Sequence, residues 1–357
     1  MSYPQNNSFV TVEYTNGTIL SSKGSSIGKS AWNTITLVLF TIIILIGTVG
    51  SGLVIATIIR WQRFRNPCNY LLMNIAVADL CVSLLSSSVM IIDRFASWPF
   101  GKFLCHVLGP FVDVFISVSV VTHTAIAFER HRAIASPFKK KITLFKTKIL
   151  IVVTWLACYF MVGFPISFYA KVRMTRSSRL VCLIAVPRSF RYTYSIYLIT
   201  VFMAVPLVVQ TLAYIGVVRV TSQKNELLHS SSRSNTSDCQ RKDLMKTRHR
   251  LVKNLIVLVV IFQICYIPRG VMMILREFVN VRRSVILDYI DLVCLVVYYL
   301  KHIVNPIILF AMSSDFKAGF YYWLCCIKGN LEEKNNIRNV KGRNLFISPE
   351  TQKISVV

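Results

Sequence analysis

Acidic residues are scarce in this sequence: 15 Asp and Glu stand against 41 Lys and Arg, and charged residues make up 16% of 357. Soluble globular chains carry about 25%. The length alone would fit two or three soluble domains, but so few charges cannot cover their surfaces. Glycine is also sparse, at 14, and the 10 cysteines are spread over the whole chain. That excludes a collagen-like chain and a secreted disulfide scaffold, and the apolar excess excludes overall disorder. Catalytic signatures are missing too: there is no HExxH, no G-x-S-x-G, no Walker loop and no Cys/His cluster with zinc spacing. His106, His123, His131, His229, His249 and His302 are scattered. The chain therefore reads as neither an enzyme nor a metal or cofactor protein. No internal repeat is visible, which weighs against a transporter built from repeated halves.

What the sequence has is hydrophobicity, with 54% apolar residues and a mean hydropathy of +0.56. It falls in seven runs, 35–59, 70–92, 103–128, 149–170, 192–218, 255–275 and 289–312. Each can cross about 30 Å of hydrocarbon as a helix, which takes about 20 residues. Strands of a membrane barrel would be about 10 residues long and alternating, so a barrel is excluded. Residues 314–324 read as a short amphipathic surface helix. The expected fold is an all-α membrane protein, a seven-transmembrane helix bundle with a short eighth helix. Its parts are an outer tail (1–33), the bundle (34–312), the surface helix (313–326) and an inner tail (327–357).

Charge sets the orientation. With the N-terminus outside, 26 of the 41 Lys and Arg fall in cytoplasmic segments, as membrane topology favours. This implies a multi-pass protein of the plasma membrane with its C-terminus in the cytoplasm. The net charge of +26 does not indicate nucleic acid, because the basic residues lie in separated loops. The polar outer tail carries sequons at Asn6 and Asn16, expected to be glycosylated.

Landmarks inside the runs carry a family resemblance. Asn74-Ile-Ala-Val-Ala-Asp79-Leu80, Trp98-Pro-Phe-Gly101, Cys105, Glu129-Arg130-His131, Trp155, Pro165, Pro206, Tyr214, Phe262-Gln-Ile-Cys265-Tyr266-Ile-Pro268 and Asn305-Pro306 occur in order. The interval from Cys105 to Arg130 is 25 residues. The chain resembles the rhodopsin-like G-protein-coupled receptors over about residues 35–326, with a likeness to their peptide receptors. Ser51, His131, Tyr266 and Leu309 depart from the family pattern at positions used in activation.

The resemblance implies a receptor that binds an extracellular ligand and activates a heterotrimeric G protein, with arrestin as a further partner. It implies a Cys105–Cys182 disulfide, the alternative being a free buried Cys105. It implies that Asp79, Glu129, Arg130, Tyr214, Phe262, Tyr266, Pro268, Lys301, Asn305 and Pro306 serve activation. It places the ligand among Val112, Asp113, Ile116, Arg269, Met273, Asp291, Leu295 and Tyr299. Val112 stands where amine receptors have Asp, which speaks against an amine. Arg269, with Lys171, Arg173, Arg176, Arg179, Arg188 and Arg191 in the second outer loop, suits a peptide or an acidic small molecule. Alternatively these arginines bind lipid headgroups and Arg269 pairs with Asp113. Cys325 and Cys326, after the surface helix, are either palmitoylated or unmodified interfacial thiols.

Further readings concern Lys301 and the inner side. Family members hold a sodium ion beside the Asp of span two. Here Lys301 lies one turn before Asn305, where its ammonium can pair with Asp79 in place of sodium, or else turns outward. An opsin-like photoreceptor would need its lysine at Tyr299. Loop hydroxyls Ser230, Ser231, Ser232, Ser234, Thr236 and Ser237 are expected phosphorylation sites. The terminal Ser355-Val356-Val357 resembles a ligand of PDZ domains.

Overall fold

A computed structural model describes residues 26–135, 142–174, 178–230, 237–278 and 285–328. Among the described residues, seven helices are long and apolar enough to cross a membrane: Trp32–Arg60, Pro67–Ile92, Gly101–Ala135, Leu144–Ser167, Ser189–Val220, Ile256–Arg276 and Ile286–Met312. We call them spans one to seven. Spans three and seven are the most buried, while spans one, four and five present most of their side chains outward. The sequence explains the difference. Span four exposes Val152, Val153, Leu156 and Phe160, whereas spans three and seven carry the polar groups, which must find partners inside the bundle.

Local signals start several helices. Asn66 caps span two, accepting from the Asn69 N–H at 2.9 Å, with Pro67 in the first turn, where proline loses no hydrogen bond. Thr143 caps span four, accepting from the Lys146 N–H at 3.3 Å. Gly101 opens span three at φ +69°, a left-handed conformation that favours glycine, and its carbonyl accepts from Trp98 Nε1 at 2.8 Å. Inside the bundle, Asn74 donates to Thr122 Oγ1 and accepts from Trp155 Nε1, both at 2.8 Å. One amide thereby ties spans two, three and four.

Several boundaries differ from the sequence reading. Span four ends at Ser167, and Ala170 instead opens strand β1 (Ala170–Met174). β1 pairs antiparallel with β2 (Leu180–Ile184), with Val172 opposite Cys182. A short apolar run cannot by itself distinguish strand from helix. The helix of span five continues to Ser230, and that of span six begins at Ser237, so the loop between them is shorter than expected. Its Ser231, Ser232, Ser234 and Thr236 lie outside the described residues, as do Asn6, Asn16 and the tail with Val357.

The surface helix runs Ser314–Lys328, ending two residues beyond the expected 313–326. The apolar Leu324-Cys325-Cys326-Ile327 continues its pattern. It docks on span one through Gly319, where an added Cβ would lie 2.7 Å from Thr57 Cγ2. Aromatic contacts flank that point: Trp61 meets Tyr322 at 5.1 Å, and Phe64 meets Phe316 at 5.0 Å.

Candidate functional site

Among the described residues, three polar centres lie along the bundle. The middle one is wholly enclosed: Asp79, Ser119 and His302 have no exposed surface, and Lys301 has 1%. Asp79 comes from span two, Ser119 from span three, and Lys301, His302 and Asn305 from span seven. Asn305 Nδ2 donates to Asp79 Oδ2 at 2.6 Å, and His302 Nδ1 donates to Oδ1 at 2.6 Å. Lys301 Nζ donates to Ser119 Oγ at 2.8 Å, and Ser119 Oγ donates to Asp79 Oδ1 at 3.3 Å. The ammonium itself lies 3.8 Å from Oδ1 and 4.9 Å from the Phe262 ring centroid. Hydrogen bonds thus surround both carboxylate oxygens, and a cation is already supplied by the chain.

These residues do not fit a sodium ion. A second cation beside Asp79 would meet the Lys301 charge and would have to displace N–H donors from both oxygens. Lys301 is equally unavailable to an opsin-type chromophore. Tyr299, at the opsin lysine position, is buried against Phe40 at 5.3 Å. The sequence reading missed His302 as a member of this centre. Its signal was present: it adjoins Lys301 and stands three residues before Asn305, on one helical face.

An aromatic column leads outward. His123 stacks on Phe262 at 5.1 Å, Phe262 on Tyr266 at 5.1 Å, and Tyr266 meets Tyr298 at 5.3 Å. Tyr266 takes the place of the family's Trp and donates to the Phe202 carbonyl at 3.4 Å, within the π turn Ile199–Ala204 of span five. Of the expected pocket residues, Val112, Ile116, Leu295 and Tyr299 sit in one apolar cluster with Phe262. Asp113, Arg269 and Met273 are partly exposed.

The outer centre is an ion-pair ladder. Arg269 Nη1 meets Asp291 Oδ1 at 2.6 Å, and Arg276 Nη2 bridges Asp288 Oδ1 at 2.9 Å and Asp291 Oδ2 at 3.3 Å. Arg269 therefore pairs with Asp291 of span seven, where sequence reasoning had offered Asp113. Their 22-residue separation across two helices gives no local signal. Asp291 shows 1% of its side chain, against 22% for Arg269 and 27% for Arg276.

The β hairpin joins this mouth. Cys182 of β2 is disulfide-bonded to Cys105 at the start of span three, with Cα atoms 5.6 Å apart. Val181 to Ile184 are buried, while Lys171 and Arg173 of β1 are exposed. Trp98 is buried beside the disulfide and donates its backbone N–H to the Leu180 carbonyl at 2.8 Å. At the opposite end, Arg130 Nε pairs with Glu129 Oε2 at 2.6 Å. Tyr214 is buried in the apolar cluster of that end, together with Ile126 and Leu309. Pro268 and Pro306 lie inside the helices of spans six and seven.

Residues 50–309 match the family described as 7 transmembrane receptor (rhodopsin family). The chain is 29% identical over 341 residues to a tachykinin-like peptides receptor of Drosophila melanogaster, covering 89% of this chain and 65% of that receptor. It is 28% identical over 303 residues to the substance-K receptor of Canis lupus familiaris, covering 80% and 74%. It is 29% identical over 296 residues to the substance-P receptor of Rattus norvegicus, covering 80% and 70%.

Proposed function

The chain belongs to the rhodopsin family of seven-transmembrane receptors, and from that premise we propose that it is a peptide-activated, G-protein-coupled receptor of the plasma membrane. The observation that carries the ligand class is the set of relatives: receptors named for tachykinin-like peptides, substance K and substance P. The geometry supports the same reading. A hairpin held by the Cys105–Cys182 disulfide stands at one end, beside a charged mouth. The N-terminus faces outside and the C-terminus the cytoplasm, as the distribution of Lys and Arg favours.

The peptide acts by population shift between two helix packings. Arg269, Met273, Asp113 and the hairpin contact it. The aromatic column from Tyr298 to Phe262 carries the change toward the Asp79–Lys301 centre. Pro268 and Pro306 provide the places where spans six and seven bend. At the inner end, Arg130 leaves Glu129 to meet the G protein. Arrestin shares that surface. Cys325 and Cys326 take palmitate, and the C-terminal tail binds a PDZ domain.

The test is direct. Cells displaying the full chain are challenged with a panel of tachykinin-like peptides, with readouts for several G-protein classes. A dose-dependent response is expected. Silence toward every peptide, with the receptor present at the cell surface, would overturn the reading. An N-terminal epitope open to antibody on intact cells, and a C-terminal one that is not, checks the orientation.

A further inference from the structure

Arginine has five N–H donors in a planar fork. Among the described residues, Arg269 makes one protein hydrogen bond, from Nη1 to Asp291, which leaves the Nε–Nη2 edge without a protein partner. That edge is not sealed away, since 22% of the side chain is exposed. Its pairing with the almost fully buried Asp291 of span seven holds the guanidinium at the seam of spans six and seven. The rest of the ladder is supporting structure. Asp291 fixes Nη1, and Arg276 with Asp288 fixes Asp291. The carboxylates are the more buried members of the ladder and the guanidinium groups the more exposed. Lys171 and Arg173 add exposed positive charge on β1.

We propose that the free Nε–Nη2 edge of Arg269 is a preorganised oxyanion receptor, and that the activating peptide carries a carboxylate which binds it in a two-pronged fashion. This rests on the peptide-receptor reading and narrows the ligand to a peptide with an acidic side chain or a free C-terminal carboxylate. The two parallel N–H···O bonds match carboxylate geometry, and a lysine could not reproduce them. Asp291 keeps its own bonds when the ligand binds, so no buried acid is stranded.

The experiment uses the full receptor on cells and a synthetic peptide library. Each member is made with Glu or Asp, with the matched Gln or Asn, and with a C-terminal acid or amide. An active peptide should lose about 30-fold or more in potency on one acid-to-amide exchange, the usual scale for removing one partner of a charged hydrogen bond. The side-chain and terminal arms tell which carboxylate it is. Arg269→Lys, which retains a cation for Asp291, should abolish the preference between the matched peptides. Arg269→Gln combined with Asp291→Asn removes both charges and guards against a folding defect, with surface display measured for each variant. If no peptide activates, the peptide reading itself fails. If peptides activate with no preference for an acid, or if the preference survives in both variants, the oxyanion site is wrong.

Discussion

Lys301→Met is the most informative single change, because it removes one charge from an enclosed pair and little else. The Nζ–Oδ1 separation is 3.8 Å. At an effective dielectric of 20 the gross attraction is about 4 kcal/mol. Desolvation of both groups offsets much of that in the intact protein, but the variant cannot recover it: removing one partner of a buried pair costs about 3–5 kcal/mol. Asp79→Asn should cost a similar amount, since it leaves the ammonium enclosed beside Ser119 alone. The double variant should be clearly milder than the sum of the two, with a coupling of about 2 kcal/mol or more. Equilibrium unfolding of the purified full chain in a lipid-like micelle measures all four proteins. Additivity within about 0.5 kcal/mol would refute the pairing. A second readout separates charge from packing. Lys301→Ser vacates the ammonium while keeping the carboxylate, so sodium should stabilise it relative to potassium, whereas the wild type should not distinguish the two ions. A strong sodium effect on the wild type would refute the exclusion of that ion.

Other changes test the remaining layers. Cys182→Ser opens the disulfide that spans 77 residues, and should abolish peptide binding and lower stability by about 2–5 kcal/mol, read by radioligand binding and thermal inactivation. Trp155→Phe removes the N–H that Asn74 accepts, and should cost about 1–3 kcal/mol in unfolding with ligand selectivity unchanged. Gly319→Leu places a side chain against Thr57 and should cost about 1–3 kcal/mol. A protease site engineered after Lys328 should become more readily cut as the surface helix lifts. Glu129→Gln weakens the local partner of Arg130 and should raise ligand-independent G-protein activity, and an unchanged basal signal would count against the lock.

Much of the architecture was readable because membranes impose a blunt rule: a run without charges must span, and charges mark exceptions. The spans were located that way, and Asp79, Asp113, Arg269, Asp291 and Lys301 stood out as the exceptions. Which exceptions meet was harder. Lys301 approaches Asp79 because one turn from Asn305 keeps it on the inner face, a local fact. Arg269 chooses Asp291 through the relative rotation of spans six and seven, and that is a property of the whole packing. The hairpin was missed because Lys171 and Arg173 end the apolar run after Ala170 and read as an outer loop, and the partner strand supplies the hydrogen bonds that decide the matter. His302 was overlooked as one of several scattered histidines, though its spacing to Asn305 gave the needed signal.

The enclosed centre also has a history within each molecule. Span seven is the least hydrophobic of the seven, and a lysine at mid-depth opposes insertion by about 2.5–3.5 kcal/mol. Span two carries a similar burden in Asp79. The two are 223 residues apart from Asp79 to His302. At about 5–20 residues per second, synthesis separates them by roughly 10–45 s. Throughout that interval Asp79 sits in the bilayer before its counter-charge has been made. The newborn chain therefore depends on its last span to neutralise its second, and a ribosome that stops early leaves behind a membrane protein with a stranded acid, a mark by which quality control can know it.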